Sequence, residues 1–592
     1  MKKIDDYAMI GDGQTAALVG RDGSIDWLCL PRFDSDACFA ALLGTEANGR
    51  WLLAPEDPRA TSSRTYSGDT LVLETEFTTA TGRVRLTDFM PIRSGGEGSS
   101  VIRIVTGLDG VVAMQSQLKL RFDYGSIAPW FSEKQGAITG KVGPDLVVVR
   151  SSVQLEHSDE AVSARFELRA GQHATFTLQH GASTASPPGP LEAERLLAET
   201  KRWWVEWIGK FDRPTDWPDL VKRSLITLKA LTYFPTGGVI AAPTTSLPEK
   251  PGGRMNWDYR FCWLRDSTFT ITAFLNAGFK EEAQSWLHWL LRAVAGSPDR
   301  IRIAYRVDGG RRLEEWKADW LPGLGGARPV RVGNEAAGQR QLDVFGEILD
   351  SAHLADRVGL EREDWGLEIE KRLILHVAET WRQPDQGMWE ARGSAKHYVY
   401  SKVMAWVAVD RFLKIESFKT RCTYALRERL ETLREEMHAE ICIKGFNERR
   451  NTFVSRYHSQ QIDASLLLLP LVGFLPIDDP RIKGTIATVE ADLMEGGLVR
   501  RHKASAFGTE EGAFIACSCW LADCMNLQGR TVEAHSLLSR VIGLANDVGL
   551  LSEEYHVRQE RLVGNFPQAL SHLAFVNSAL GLSGPVLQRG GG

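Results

Sequence analysis

The residues best suited to chemistry sit in short acidic and aromatic loops. In Gln386–Tyr400 (QGMWEARGSAKHYVY), Glu390 lies between Trp389 and Ala391, in a glycine-flanked loop before an apolar stretch. A carboxyl beside an indole is shielded from water, which disfavours its charged form and holds a proton on it nearer neutrality. That is what a general acid needs. In Leu551–Pro567 (LSEEYHVRQERLVGNFP), Glu553 and Glu554 are adjacent. Neighbouring acids raise each other's pKa, and one of them could take a proton from water. Gly508–Phe514 (GTEEGAF) supplies a second pair, Glu510 and Glu511. Each also has a plainer reading: an ordinary loop Glu, a solvated acidic pair, or acids favoured at a helix N-terminus by the dipole.

A fourth loop, Asn256–Ser267 (NWDYRFCWLRDS), crowds Tyr259, Trp263, Arg265 and Asp266 ahead of an apolar helix. An Arg–Asp pair can fork hydrogen bonds onto vicinal hydroxyls while an aromatic packs on a ring. The plainer alternative is Asp266 as a helix cap with Arg265 in a salt bridge. One such loop is a weak signal. Several at the same end of successive helix pairs are stronger, because residues distant in sequence then converge. Two carboxylates facing one bond are the machinery of glycoside hydrolysis.

Two kinds of text must position these loops. Leu71–Phe77, Val84–Phe89, Val101–Val105 and Leu146–Val149 read as short strands, and Arg165–Arg169 with Ala174–Gln179 reads as a hairpin. Many short strands with Gly-rich turns predict an antiparallel β-sandwich over residues 1–190, closed by Ser186–Pro190 (SPPGP). Leu191–Phe211 then reads as an amphipathic helix, placing a helical linker at 191–215. Beyond it, helical spacing recurs at Leu220–Leu231, Ser267–Leu275, Glu281–Val294, Gln341–Arg357, Tyr400–Leu413, Thr423–Ile441, Asp463–Val472, Gly512–Met525, Val532–Asn546 and Ala569–Leu580. About a dozen helices exceed a simple bundle and fit a toroid of paired helices, an (α/α)6 barrel over 216–592.

Composition narrows the classes. The net charge of −5 argues against a nucleic-acid partner, which usually leaves a basic stripe. No unbroken apolar run is long enough for a membrane span, and the first twenty residues lack the apolar core of a secretion signal. None of the eight cysteines forms a CxxC pair, which fits buried reduced thiols in a cytoplasmic protein. Phosphate-loop, zinc-protease, nucleophile-elbow and dinucleotide-binding motifs are absent, and the 13 His show no ligand spacing. We therefore expect no metal and no cofactor. The 18 Trp outnumber the 11 Tyr, which suits either large helix-packed cores or flat platforms for sugar rings.

At these residues the sequence resembles glycoside hydrolase family 15, the glucoamylase and bacterial trehalase family. IDDYAMIGDGQTAALVGRDGSIDWLCLPRFDSDACFAALLG resembles the opening β-domain of its bacterial members. NWDYRFCWLRDS, RVGNEAAGQRQLDVFGEILD, GMWEARG, DASLLLLPLVGFLP, EGAFIACSCWL and LSEEY with GNFPQALSH resemble further family blocks in the same order.

The resemblance implies a β-sandwich before an (α/α)6 barrel, and single-step hydrolysis of an α-glucoside with inversion. It implies Glu390 as general acid and Glu553 as general base. It places Tyr259, Trp263, Arg265 and Asp266 around the non-reducing-end glucose, with Trp389 and Glu511 lining the site. In bacterial members a β-domain loop can reach the mouth, so Trp27, Phe33 and Asp34 are expected contacts. Inversion requires a carboxyl separation of roughly 6.5–9.5 Å, leaving room for a water. Glu554 competes for the base role, and Glu335 stands where a small residue is expected; both bear on the subsite beyond the cleaved bond. The expected substrate is a small α-glucoside or α-glucan: trehalose first, then glucoamylase-like or isomaltose-type substrates. A disaccharide phosphorylase is the alternative of another class, and Glu553 argues against it. No nucleic-acid or membrane partner is expected, and a homo-oligomer is compatible with the reading.

Overall fold

Short alternating and β-branched segments recur through the first 182 positions, and the chain there forms fifteen strands joined in one antiparallel network, from Tyr7–Gly11 to His173–Ala182. This is a computed structural model; it describes residues 2–93, 98–134, 136–362, 364–416, 418, 422–503, 511–587 and 589. Its organiser is the 20-residue strand Ser100–Lys119. The first half pairs with Gly82–Phe89 and His173–Ala182, and the second half with Arg50–Pro55 and Val162–Arg169. Gly110, at φ +63°, sits where the partners change, in a backbone conformation that suits glycine.

This long strand overturns the expected hairpin. Val162–Arg169 and His173–Ala182 are consecutive, but they do not pair with each other; each pairs with a different half of Ser100–Lys119. Their register to the long strand wins over the short connection. Phe166 and Phe176 still meet, ring centroids 5.6 Å apart.

Residues Ala193–Ile208 form helix α1, which is packed at both ends. Leu191, Leu196 and Leu197 rest on Val72, Phe89, Ile102 and Ile104 of the sheet. Trp207 stacks on Phe279 at 4.4 Å and donates its indole N–H to Glu282 at 2.6 Å, inside the helical half.

Beyond α1 the described helices are α2 Pro218–Ala230, α3 Ser267–Asn276, α4 Lys280–Val294, α5 Asp343–Arg357, α6 Asp364–Thr380, α7 Val399–Lys414, α8 Tyr424–Lys444, the single turn α9 Leu468–Leu471, α10 Pro480–Leu493, α11 Ile515–Leu527, α12 Thr531–Ile542 and α13 Ala569–Ser583. Sequence periodicity missed α6 and α10, whose buried residues are sparse among charged ones. Asp463–Val472 is a 3-10 segment, Ala464–Leu467, running into α9, because Pro470 allows little more. The apolar stretch before α11 opens as a short strand, Ala513–Phe514.

Two populations of helix follow from patterning. All ten residues of α3 are buried, as are fifteen consecutive residues of α7, and such helices must be enclosed by others. They pack in cyclic order: α3 on α5, α5 on α7, α7 on Ala464–Leu471, that segment on α11, α11 on α13, and α13 back on α3. The less fully buried α2, α4, α6, α8, α10 and α12 each pack outside one of these. The acidic and aromatic loops all precede an inner element, so the cycle gathers them at one end. Among the described residues no helix is long and apolar enough to cross a membrane.

Candidate active site

A cavity of about 1420 Å³ opens where the loops before α3, α7, Ala464, α11 and α13 meet. Glu390 and Glu553 both line it, although 163 positions separate them in sequence. Tyr259, Arg265, Trp389 and Glu511 join them.

Glu390 has φ +58°, an uncommon conformation for a residue with a Cβ, and its N–H donates to Gly387 O at 3.0 Å. Strained residues of this kind persist where surroundings over-determine them. Here Gln339 donates to Glu390 O at 3.1 Å, and Arg265 donates to Met388 O at 2.6 Å. The Glu390 carboxylate accepts at Oε1 from Trp263 Nε1 at 2.7 Å and from Arg265 Nη1 at 3.1 Å. The expected indole neighbour is therefore replaced. Trp389 turns away, donates to Asp463 Oδ1 at 2.8 Å and rests edge-on to Phe514, and the distant Trp263 supplies the indole.

Glu553 is 2% exposed and accepts at Oε1 from Tyr259 OH at 2.6 Å. Its Oε2 lies against Gly564, where a Cβ would come within 2.8 Å. Burial raises the Glu553 pKa, opposed by Arg501 and the Tyr259 hydrogen bond. Burial and the Glu553 charge push Tyr259 far above its ordinary value, so it stays protonated and donates.

Glu554 does not compete for the same place. It begins the strand Glu554–His556, which pairs with Ala513–Phe514 and Arg561–Val563, and successive strand residues face opposite ways. Its carboxylate accepts from Gly512 N at 2.9 Å, lies 3.3 Å from Arg501, and is not among the cavity walls. Burial holds its pKa well above the usual range, with Glu249 adding to the rise.

Sequence reasoning missed the group that organises these acids. Arg501 Nη2 lies 2.6 Å from Glu249, 3.3 Å from Glu511 and 3.3 Å from Glu554. Burial and neighbouring acids push Glu249 up to about 8, against the pull of Arg501. Burial would raise Glu511 as well, but Arg501 and His502 overrule it and hold its carboxyl below the usual value. Arg501 stands in GLVRRH, and its only sequence signal was a charge pair at the edge of an apolar run. Glu510 lies outside the described residues.

Asp266 occupies the N-cap position of α3 without a side-chain cap bond, and pairs with Arg265 at 3.2 Å. The simple cap reading thus fails. Trp263 and Asp266 stand behind the cavity wall and act on it through Glu390 and Arg265.

Trp27, Phe33 and Asp34 do not reach the cavity. Trp27 is buried and donates to Pro243 O at 2.7 Å, and Phe33 packs edge-on to Tyr233 at 6.5 Å. Asp34 is held by Arg32 and Arg306, each at 2.9 Å. These side chains are spent joining the sheet to the helical half. Arg260 shares that work, donating to Ser35 O at 2.7 Å and Tyr124 OH at 2.8 Å. The N-terminal domain thereby braces the loop that carries Tyr259 and Arg265.

Comparison with known proteins identifies the family. The family described as "Glycosyl hydrolases family 15" matches residues 217–580. The chain belongs to this family. A second family, described as "Trehalase-like, N-terminal", matches residues 1–204. This family 15 hydrolase is 34% identical to the trehalase of Mycolicibacterium smegmatis over 615 aligned positions, covering 98% of this chain and 91% of that one. It is 33% identical to the trehalase of Thermoplasma volcanium, covering 99% and 94% of the two chains. A bacterial glucoamylase complexed with acarbose shares the fold at 13% identity, with a TM-score of 0.73 over 98% of this chain and 95% of that one.

The Tyr259–Glu553 bond makes a pH prediction for this family 15 member. The hydrogen bond lowers the Glu553 pKa, so Tyr259→Phe should raise it. A base works only when ionised, so the acid limb of kcat/KM should move to higher pH. An acid limb left in place would show that Glu553 is not the group titrating there.

Proposed function

We propose that this chain is an inverting, exo-acting α-glucoside hydrolase that releases glucose from the non-reducing end, with trehalose as its first substrate. The observation that carries the reading is the pairing of Glu390 and Glu553 in one cavity, each with its own donors. Glu390, anchored by Trp263 and Arg265, gives a proton to the glycosidic oxygen. Glu553, anchored by Tyr259, takes one from a water on the opposite face of the ring. Tyr259 and Arg265, which line the cavity, hold the glucose between the two acids, with Trp263 and Asp266 supporting them from behind. Trehalose is preferred because relatives similar over nearly the whole chain carry the name trehalase.

The cyclic packing of six inner elements, each with an outer partner, supports reading the helical half as an (α/α)6 barrel behind a β-sandwich. We divide the chain into a β-domain at 1–190, a linker at 191–215 and a catalytic domain at 216–592. The eight free cysteines, six of them buried, fit a cytoplasmic setting.

The test follows the anomer released. Incubation with trehalose, maltose, isomaltose and soluble starch, read by proton NMR in the first minutes, should show β-glucose formed from an α-linkage. Inverting cleavage of trehalose frees one β-glucose from the attacked ring and one α-glucose as the leaving sugar, so initial release of α-glucose alone would overturn inversion. Glucose 1-phosphate formed only with added phosphate would make the protein a phosphorylase.

A further inference from the structure

The cavity wall beside Glu390 has a construction that the two-carboxylate reaction does not use. Arg392 follows the proposed general acid by two residues and lines the cavity. Its guanidinium lies over the Trp257 ring at 4.1 Å, and Arg331 lies over the same ring at 4.4 Å. Glu315 ties the two cations together, 2.7 Å from Arg392 and 3.0 Å from Arg331. Glu335, itself 79% exposed, approaches Arg392 at 3.4 Å. Arg331 also donates to Asn256 O at 2.9 Å, which fixes the loop carrying Trp257.

Resting on the reading above, we infer that Arg392 is a specificity-determining residue that reads the leaving group. A proton donor must lie beside the oxygen that departs, so the sugar bearing that oxygen meets the chain around Glu390. Arg392 lines the cavity two residues beyond Glu390, whereas Arg265, the cation bonded to Glu390 itself, is already engaged by Met388 O and Asp266. Glu315 and Glu335 occupy three donor contacts of the Arg392 guanidinium, and its Nε–H makes no hydrogen bond to a described residue. Its side chain keeps 34% exposure, whereas Glu315 beneath it keeps 12%. The planar fork is held in one orientation by the Trp257 face and by two-point contact with Glu315, so it offers donors to sugar hydroxyls at little ordering cost. Burial, opposed by Arg392 and Arg331, leaves Glu315 below its usual pKa, so the anchor remains ionised at neutral pH. Glu335, unexpected in the sequence at a position suited to a small residue, belongs to this constellation.

The test compares two substrates that share the glucosyl group and differ in what leaves. α-Glucosyl fluoride has no leaving sugar, whereas trehalose has one. Arg392→Ala should lower kcat/KM for trehalose about ten- to hundredfold, the size of a lost hydrogen bond to a charged donor, chiefly through KM. Its kcat/KM for α-glucosyl fluoride should stay within about threefold of wild type. Arg392→Lys keeps the charge without the fork and should fall between. Equal losses on both substrates would overturn the inference and make Arg392 a support for the Glu390 loop. No loss on either would overturn it as well, and thermal unfolding identifies a variant that fails to fold, in which case Arg392→Lys carries the comparison. Wild-type protein that cleaves the fluoride and no disaccharide would sink the proposed substrate class instead.

Discussion

Glu553→Gln is expected to lower kcat about a hundred- to ten-thousandfold on both trehalose and α-glucosyl fluoride, with the fold intact. Glutamine keeps the carbonyl that accepts from Tyr259 OH, so the local contact at 2.6 Å survives. It removes a carboxylate whose ionisation burial opposes, so thermal unfolding should be unchanged or occur at higher temperature. Glu390→Gln should lose comparable activity on trehalose and much less on the fluoride, because a fluoride ion leaves without needing a strong acid. The two variants together therefore separate the roles. Near-wild-type turnover of trehalose by either would remove that residue from the mechanism. Loss of fluoride hydrolysis by Glu390→Gln as complete as that by Glu553→Gln would remove the acid–base distinction.

Arg501→Met should be the most damaging change to stability. Arg501 is 11% exposed and stands against Glu249, Glu511 and Glu554, with Glu553 adding to the field that holds its charge. Removing the cation leaves buried carboxylates without their partner, a class of change that costs about 3–5 kcal/mol. The surviving acids would meet this by holding protons, so their folded pKa values rise above the unfolded ones. The folded state then binds more protons than the unfolded chain, and stability falls as pH rises through those folded values. The deficit against wild type should thus be smaller near pH 5 and larger near pH 8. It is checked by thermal unfolding across that range. A deficit independent of pH would mean that Arg501 contributes packing rather than charge.

These two expectations drew on different sources. Glu390 and Glu553 were legible as candidates because each stands in an acidic and aromatic loop, and the resemblance to family 15, not the loops alone, implied their acid and base roles. Arg265 and Tyr259 were legible for the same reason, in a motif dense with aromatic and charged residues. Arg501 was not, since its meaning depends on three carboxylates from separate segments, including Glu249, which sequence reading passed over. The strand alternation that points Glu554 away from the cavity was likewise invisible, because Gly512 N and the neighbouring strands decide it. Trp27, Phe33 and Asp34 were misplaced because buried polar bonds across the domain contact, such as Trp27 to Pro243 O, leave no trace in local text.

The sequence by itself determined the two kinds of domain, most helices, and which acidic and aromatic loops carry the candidate residues. Those follow from periodicity, turn residues and the side-chain chemistry that the reaction requires, all of which are local. Tertiary structure decided which indole supports Glu390, which of two adjacent glutamates faces the cavity, and how one arginine holds three carboxylates. It also brought Arg392, Trp257 and Glu315 together beside the cavity. Those outcomes depend on desolvation and on charges brought together from distant segments, and only the closed cycle of helices creates that environment.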